Sequence, residues 1–320
     1  MDKHFIITKL HGIKLEENTS FQFNDWIITN NPQEKILSIP DMQALYDNVG
    51  RYGVDYLDGT VAYKFKDFTS DESQMNDVLA SEATTLLAML TLLWLENDNA
   101  IFCINSYLQK VANSKVVQNR REHFISNSIG RYSDIFIDTP LIEKIKGSNL
   151  LNKYTCLLAY DNDTTGTSPE STSDGYMFKP DMDNQYSNFD RLQRAWTLLH
   201  HARITNFLPM KIGFYINTLE CIVLKSETEL NFRLQLHTAQ FIGTDKEDKD
   251  EIMNTIKRCY GVRSKFFHGE GIPKIKTEAL QELSQKLDEI VRRTFKRAIL
   301  HKDEINDNKK IDDFFKSLLF

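Results

Sequence analysis

The 320-residue chain has little of what small or secreted folds depend on. Its four cysteines, Cys103, Cys156, Cys221 and Cys259, are widely scattered. They form no Cys-x-x-Cys pair and no Cys/His spacing of a zinc site, so free thiols are expected, with no metal and no cofactor. Met1-Asp2-Lys3-His4 leads into a short apolar run without a cleavage site, so no secretory signal is expected. The most apolar stretch, Ala83 to Leu95, is shorter than the ~20 residues of a membrane span and reads as a buried core helix. A cytoplasmic protein with no membrane partner is expected. No internal repeat is present.

What is present is a globular composition, 41% hydrophobic and 26% charged, which supports a packed core without staples. The length fits two domains at roughly 100–200 residues each. Charge is unevenly spread. Residues 1–190 carry 16 Lys/Arg and 27 Asp/Glu, a balance of −11; residues 191–320 carry 23 and 18, a balance of +5. An acidic half joined to a basic half is one signature of nucleic-acid contact in the basic half.

Residues 1–160 read as a mixed α/β domain. His4–Leu10, Phe21–Ile28, Val61–Lys66 and Ile101–Leu108 are rich in β-branched and aromatic residues. Val61, Tyr63 and Phe65 alternate with small or polar neighbours, as in a half-buried strand. Glu82–Glu96 is the one strong helix. Residues 161–188 begin with a run from Asp161 to Gly175 that has no apolar side chain to anchor it, so a flexible linker or loop is expected.

From 189 to 320 the period is helical. Phe189, Leu192, Ala195, Trp196, Leu199 and Ala202 share one face; Ile212, Tyr215, Ile216, Leu219, Ile222 and Val223 share the next. Leu230, Leu234 and Phe241 mark a third helix, Glu251 to about Phe267 a fourth, and Leu280 to Ala298 a fifth. Pro209 separates the first two; Gly269, Gly271 and Pro273 separate the last two. The tail from Asp303 to Phe320 is charged, then apolar, and suits a short docking helix. The fold class expected is α+β, a strand-rich domain followed by a helical bundle.

One constellation carries chemistry: Tyr260-Gly-Val-Arg263-Ser-Lys-Phe-Phe-His268-Gly269. Five residues turn an ideal helix by about 140°, so Arg263 and His268 share a face only if the helix ends between them. Gly269 and Gly271 supply that ending, leaving His268 at an exposed C-terminus. Such a pair suits phosphodiester cleavage in RNA. A histidine titrates near neutrality and can take the 2′-hydroxyl proton or supply one to the leaving oxygen. An arginine can hold the phosphate in two-point contact and stabilise transition-state charge. Metal is not required, and the product would be a 2′,3′-cyclic phosphate. Arg194 with His200 or His201, with five or six residues between, gives a similar pattern, but mid-helix beside Trp196 and Leu199, where a helix flank is the simpler account.

In order, Arg191-Leu-Gln-Arg194-Ala-Trp, Tyr215-Ile-Asn-Thr-Leu-Glu220-Cys-Ile and Tyr260 through Gly269 make residues 189–300 resemble the HEPN superfamily, and within it the Apea-like group of bacterial defence proteins. The resemblance implies a HEPN-like helical bundle, a metal-independent endoribonuclease of defence or toxin type, and a homodimer bringing two motifs into one cleft. HEPN ribonucleases carry an Arg, a polar residue and a His four to six positions after the Arg; Arg263, Ser264 and His268 stand at those places. Many members have Asn, Asp or His where this chain has Ser264. Lys265 is a further supporting residue. An acidic residue of the family's second helix often points toward the motif, and Glu220 stands there; it reads equally as a buried structural carboxylate, and an ion pair with Arg263 satisfies both. Residues 1–160 resemble no family.

The run Arg292-Arg293-Thr-Phe-Lys296-Arg297 offers cations for an RNA backbone and Phe295 for stacking, or else a solvated helix face. His4, His11, His123, His237 and His301 stand alone and read as surface or satisfied structural residues. The competing function is a non-catalytic HEPN module that binds RNA or a partner protein. In the leading reading residues 1–160 answer a phage or cellular trigger or hold the enzyme inactive; a third reading makes them the active part, as a ligand sensor, their acidic charge arguing against nucleic-acid binding there.

Overall fold

The computed structural model describes residues 1–55, 57–69, 71–120, 124–147, 170–172, 175–177, 189–225, 229–270 and 276–319. The chain forms two compact units. An antiparallel, sheet-rich N-terminal region precedes a C-terminal helical region, so the class is α+β.

The first unit comprises Met1–Leu93, Asn99–Ile125 and Tyr132–Lys153. Its main sheet has six antiparallel strands in the order β3-β4-β5-β1-β6-β7. These are β1 (Asp2–His11), β3 (Ser20–Phe23), β4 (Trp26–Thr29), β5 (Val61–Phe68), β6 (Phe102–Lys110) and β7 (Val116–Arg120). A parallel pair, β2 (Ile13–Leu15) with β8 (Ile135–Ile137), stands apart from it. Strand pleating puts Phe5, Ile7, Val61, Tyr63 and Tyr107 on one face. That face packs with Ile39, Leu45 and Leu57, contributed by and around α1 (Pro32–Ser38) and α2 (Met42–Asp55).

Three expectations change here. Phe21–Ile28 is two strands, because Asn24 adopts positive φ and Asn24-Asp25 form a two-residue turn between the paired Phe23 and Trp26. In β5, Val61 and Tyr63 are buried but Phe65 is 44% exposed, while Lys64 is buried. Lys64 bridges Asp25 at 2.7 Å and also pairs with Glu82, which pairs with Lys66 as well. A buried ammonium is tolerated there because two carboxylates face it. The helix expected from Glu82 starts ten residues earlier: α3 spans Glu72–Glu96. It is long and apolar enough to cross a membrane by length and composition, and 78% of its most apolar window is buried inside the protein.

Of the expected linker, residues 170–172 and 175–177 form a short antiparallel pair, β9 (Glu170–Thr172) and β10 (Gly175–Met177). The rest of 161–188 lies outside the described residues, as do Cys156 and His123. Helix α4 (Thr139–Gly147) completes the first unit's described elements.

The second unit takes in Tyr154–Phe320 together with Trp94–Asp98 and Ser126–Arg131, two segments from within the stretch read as the first domain. Its helices are α5 (Arg191–Ile204), α6 (Leu208–Val223), α7 (Leu230–Ile242), α8 (Lys246–Phe267), α9 (Thr277–Leu300), α10 (Lys302–Ile305) and α11 (Ile311–Ser317). Asp190 caps α5 in a reciprocal capping box with Gln193. Helix α6 is central, in contact with α5, α7, α8 and α9, and Ile212, Ile216, Leu219 and Ile222 are wholly buried on it. Helix α8 begins five residues before the expected Glu251. Its first turn is charged and shows no apolar period, yet Asp245 caps it and Glu247 and Asp248 suit the positive end of the helix dipole. In the tail, Ile305, Ile311 and Phe315 are buried, with Phe315 stacked on His237 at 5.1 Å.

A buried polar network explains the two imported segments. Asp288, with no exposed side-chain surface, accepts from Trp94 Nε1 at 2.8 Å, Tyr215 Oη at 2.7 Å and Arg292 Nε at 2.8 Å. Asp98 accepts from the backbone and hydroxyl of Ser128, whose carbonyl accepts from Ser284 Oγ at 2.6 Å. Arg203 stacks over Trp94, and Lys211 donates to the Ala202 carbonyl at 2.6 Å. Burial, with Arg203 adjacent, pushes the Lys211 ammonium down to about 7.

Candidate functional site

Helix α8 buries Ile252, Thr255, Ile256, Cys259 and Val262, which fixes its core face. Arg263 follows Val262 and so falls at the edge of that face, with its side chain 27% exposed. Its guanidinium lies over the rings of Tyr260, at 5.5 Å, and Phe267, at 6.0 Å. These residues sit at i−3 and i+4, on the same side of the helix. Phe267 packs against Gly213 of α6, where a Cβ would come within 2.4 Å of the ring.

From α6, Asn217 and Glu220 meet Arg263. Its Nη2 donates to Asn217 Oδ1 at 3.2 Å and stands 3.7 Å from Glu220 Oε2. The expected Glu220–Arg263 ion pair is present, but as one long contact rather than a fork. Arg263 Nε and Glu220 Oε1 are both buried and have no hydrogen-bond partner among the described residues. Burial pushes the Glu220 carboxyl above its ordinary range, against the smaller downward pull of Arg263 beside it. The chemical capacity of the site is therefore a cation held by rings and an amide, with part of its donor set unused.

His268 is the C-cap of α8, at φ −89° and ψ 4°, and is exposed. The helix closes as the sequence implied. Gly269 takes φ +74°, its N–H donates to the Phe266 carbonyl, and the Glu270 N–H donates to the Lys265 carbonyl. This is the Schellman pattern that a glycine after the cap permits. Gly271 and Pro273 lie outside the described residues. Among the described residues no hydrogen bond, ion pair or ring contact joins the His268 imidazole to Arg263. Ser264 and Lys265 are half-buried between them, with the Ser264 carbonyl accepting the His268 N–H.

The basic run of α9 is not an open cationic face. Arg292 is paired to Asp288, and Arg293 donates to Asp248 through both terminal nitrogens and to the Ile242 carbonyl. Lys296 pairs with Glu96 at 3.0 Å, and Arg297 lies over Phe241 at 5.1 Å. Phe295, expected to stack on bases, is fully buried, edge-on to Trp196 at 5.7 Å. The helical period of α9 points it into the core, where a polar run alone does not reveal it.

His201 stacks on Phe214 at 5.5 Å, and His237 Nδ1 lies 3.0 Å from the Val223 carbonyl, both structural placements. Asn217 is the site residue the sequence reading missed. Its signal was available: it lies one turn before Glu220 on the same half-buried edge of α6. Among the described residues no three His, Cys, Asp or Glu side chains are placed to hold a metal ion. Compared with protein-family models, with characterised proteins and with solved structures, the chain matches none of them.

Proposed function

We propose that the helical region is a HEPN-like endoribonuclease that cleaves RNA without a metal, through Arg263 and His268. The observation that carries the reading is Arg263, oriented by Asn217, Tyr260 and Phe267 yet still 27% exposed, five residues before an exposed histidine on a glycine-closed turn. Arg263 holds the scissile phosphate and stabilises its added charge. His268 takes the proton of the 2′-hydroxyl, the 2′-oxygen bonds to phosphorus, and the bond to the 5′-oxygen breaks. That oxygen leaves as a hydroxyl on gaining a proton. The other product ends in a 2′,3′-cyclic phosphate.

One imidazole cannot both take the first proton and supply the second in the same instant. A homodimer placing a second His268 in the cleft answers this, and twofold pairing is the commonest closed assembly. A cytoplasmic setting, and a trigger acting through the first unit, belong to the same reading. The second reading, a module that binds RNA or a partner without cutting, has one observation in its favour: Glu220 already stands against Arg263 where a phosphate would come.

The test is incubation of the full chain with total RNA, with and without EDTA, followed by analysis of the new ends. Cyclic phosphate ends formed equally in EDTA support the nuclease. Binding without cleavage supports the second reading. Restoration of cleavage on mixing Arg263→Ala with His268→Ala chains supports the composite site.

A further inference from the structure

The first unit contains a polar cleft that the nuclease reading does not use. It is built where the cover of the sheet runs out. On the covered face, Phe5, Ile7, Tyr63 and Tyr107 pack with residues of α1 and α2, and Val49 of α2 joins that core. Toward the edge strand β7 the face turns polar. Pairing places Gln118 opposite Tyr107 and Arg120 opposite Asn105, so all four share the covered side. Val49 and Gly53 of α2 form the opposing wall, and the cleft encloses about 400 Å³.

The helix that makes this wall is broken within it. Gly50 has φ 71° and ψ 167°, a backbone state essentially confined to glycine, and a Cβ there would meet nothing within 4 Å. Three residues on, a Cβ on Gly53 would lie 3.4 Å from the Tyr107 hydroxyl. The break and the missing side chain keep the cleft open over its polar floor.

The lining selects a ligand class. Asn105 and Gln118 are carboxamides, each offering a donor and an acceptor in one plane, the pattern that matches the edge of a nucleobase. Arg120 is a guanidinium suited to two-point contact with a phosphate. The volume lies in the range of small-ligand sites. The balance of −11 over residues 1–190 repels a polyanionic strand but costs little for a ligand with one phosphate. We propose that this cleft binds a single nucleotide, its base against Asn105 and Gln118 and its phosphate on Arg120. The proposal is independent of whether the helical region cuts RNA.

The experiment uses the full chain, with calorimetry and thermal-shift measurements against the four nucleoside 5′-monophosphates, the free nucleosides and inorganic phosphate. At least one monophosphate is expected to bind, at least about tenfold more tightly than its nucleoside and than phosphate alone. Arg120→Ala is expected to remove the advantage over the nucleoside. Asn105→Leu, which fills the cleft with an apolar group, is expected to weaken all binding about tenfold or more. Circular dichroism melts matching the wild type keep both variants interpretable, and Gln118→Ala, on the exposed edge strand, gives a third variant if either unfolds. No binding by any monophosphate up to about 1 mM overturns the proposal. So does binding that all three variants leave unchanged, or phosphate that binds as well as the nucleotide.

Discussion

Asp288→Ala should destabilise the helical unit severely while leaving the first unit's sheet unaffected. The carboxylate has no exposed surface and accepts three hydrogen bonds, from Trp94, Tyr215 and Arg292, at 2.7–2.8 Å. Alanine leaves the indole N–H and the phenol unsatisfied and strands the Arg292 guanidinium beside a buried gap. Breaking a buried ion pair from one side costs about 3–5 kcal/mol. For a unit of this size that corresponds to a melting point roughly 10 °C lower. Tyr215→Phe removes one of the three bonds and should cost about 1–2 kcal/mol. Asp288→Asn keeps an acceptor for Trp94 and Tyr215 but loses the charge facing Arg292, so it should fall between. The assay is urea unfolding of the full chain, with hydrogen-exchange mass spectrometry to read protection in α6, α8 and α9 separately from the sheet. If Asp288→Ala unfolds within about 1 kcal/mol of wild type, the bonds to Asp288 are not what binds Trp94 to the bundle, and the reasoning fails.

Other consequences are equally direct. Arg263→Ala and His268→Ala should each abolish RNA cleavage while shifting stability by no more than about 1 kcal/mol, since neither is fully buried; a folded variant that cuts at wild-type rate removes its residue from the chemistry. Asp248 is held down to about 2 by its hydrogen bonds from Arg293. Its contribution is present above the ordinary carboxylate range and is lost as pH falls toward 2. Arg293→Ala should therefore shrink the fall in urea midpoint between pH 5 and pH 2.5; an unchanged fall places acid sensitivity elsewhere. Lys211, facing Arg203, Tyr215, Asp98 and Asp288, has the same sign of pH dependence in a higher window. Its folded value lies near 7, below the ordinary lysine value, so the unfolded state holds more protons between those values and stability should rise with pH, by at most about 1.4 kcal/mol per unit. Lys211→Met should abolish that rise between pH 7 and 9 in urea titrations; a wild type that shows no rise counts against a depressed lysine.

Much of the helical region is legible in the order of its residues. Apolar residues at helical spacing located α5, α6, α7 and α9, and Gly269 announced the end of α8, because an apolar period and a glycine after a helix are local signals. The sequence also brought Arg263, His268 and Glu220 forward as a group, and the ion contact between the first and the last of these is present. What it did not reveal are the long-range choices. Trp94 meets Asp288 across 194 positions, and Ser128 meets Ser284 across 156, so no local pattern marks either pair. The cations of α9 read as a free basic face until their acceptors, Asp248, Glu96 and the Ile242 carbonyl, arrived from elsewhere in the unit. Lys64 reads as the polar side of a half-buried strand, yet the fold buries it because Asp25 and Glu82 converge on it. Periodicity records which face of an element is apolar. Which buried charge meets which partner is decided only when distant segments close together, since a desolvated charge is tolerated only where its counter-charge is already in place.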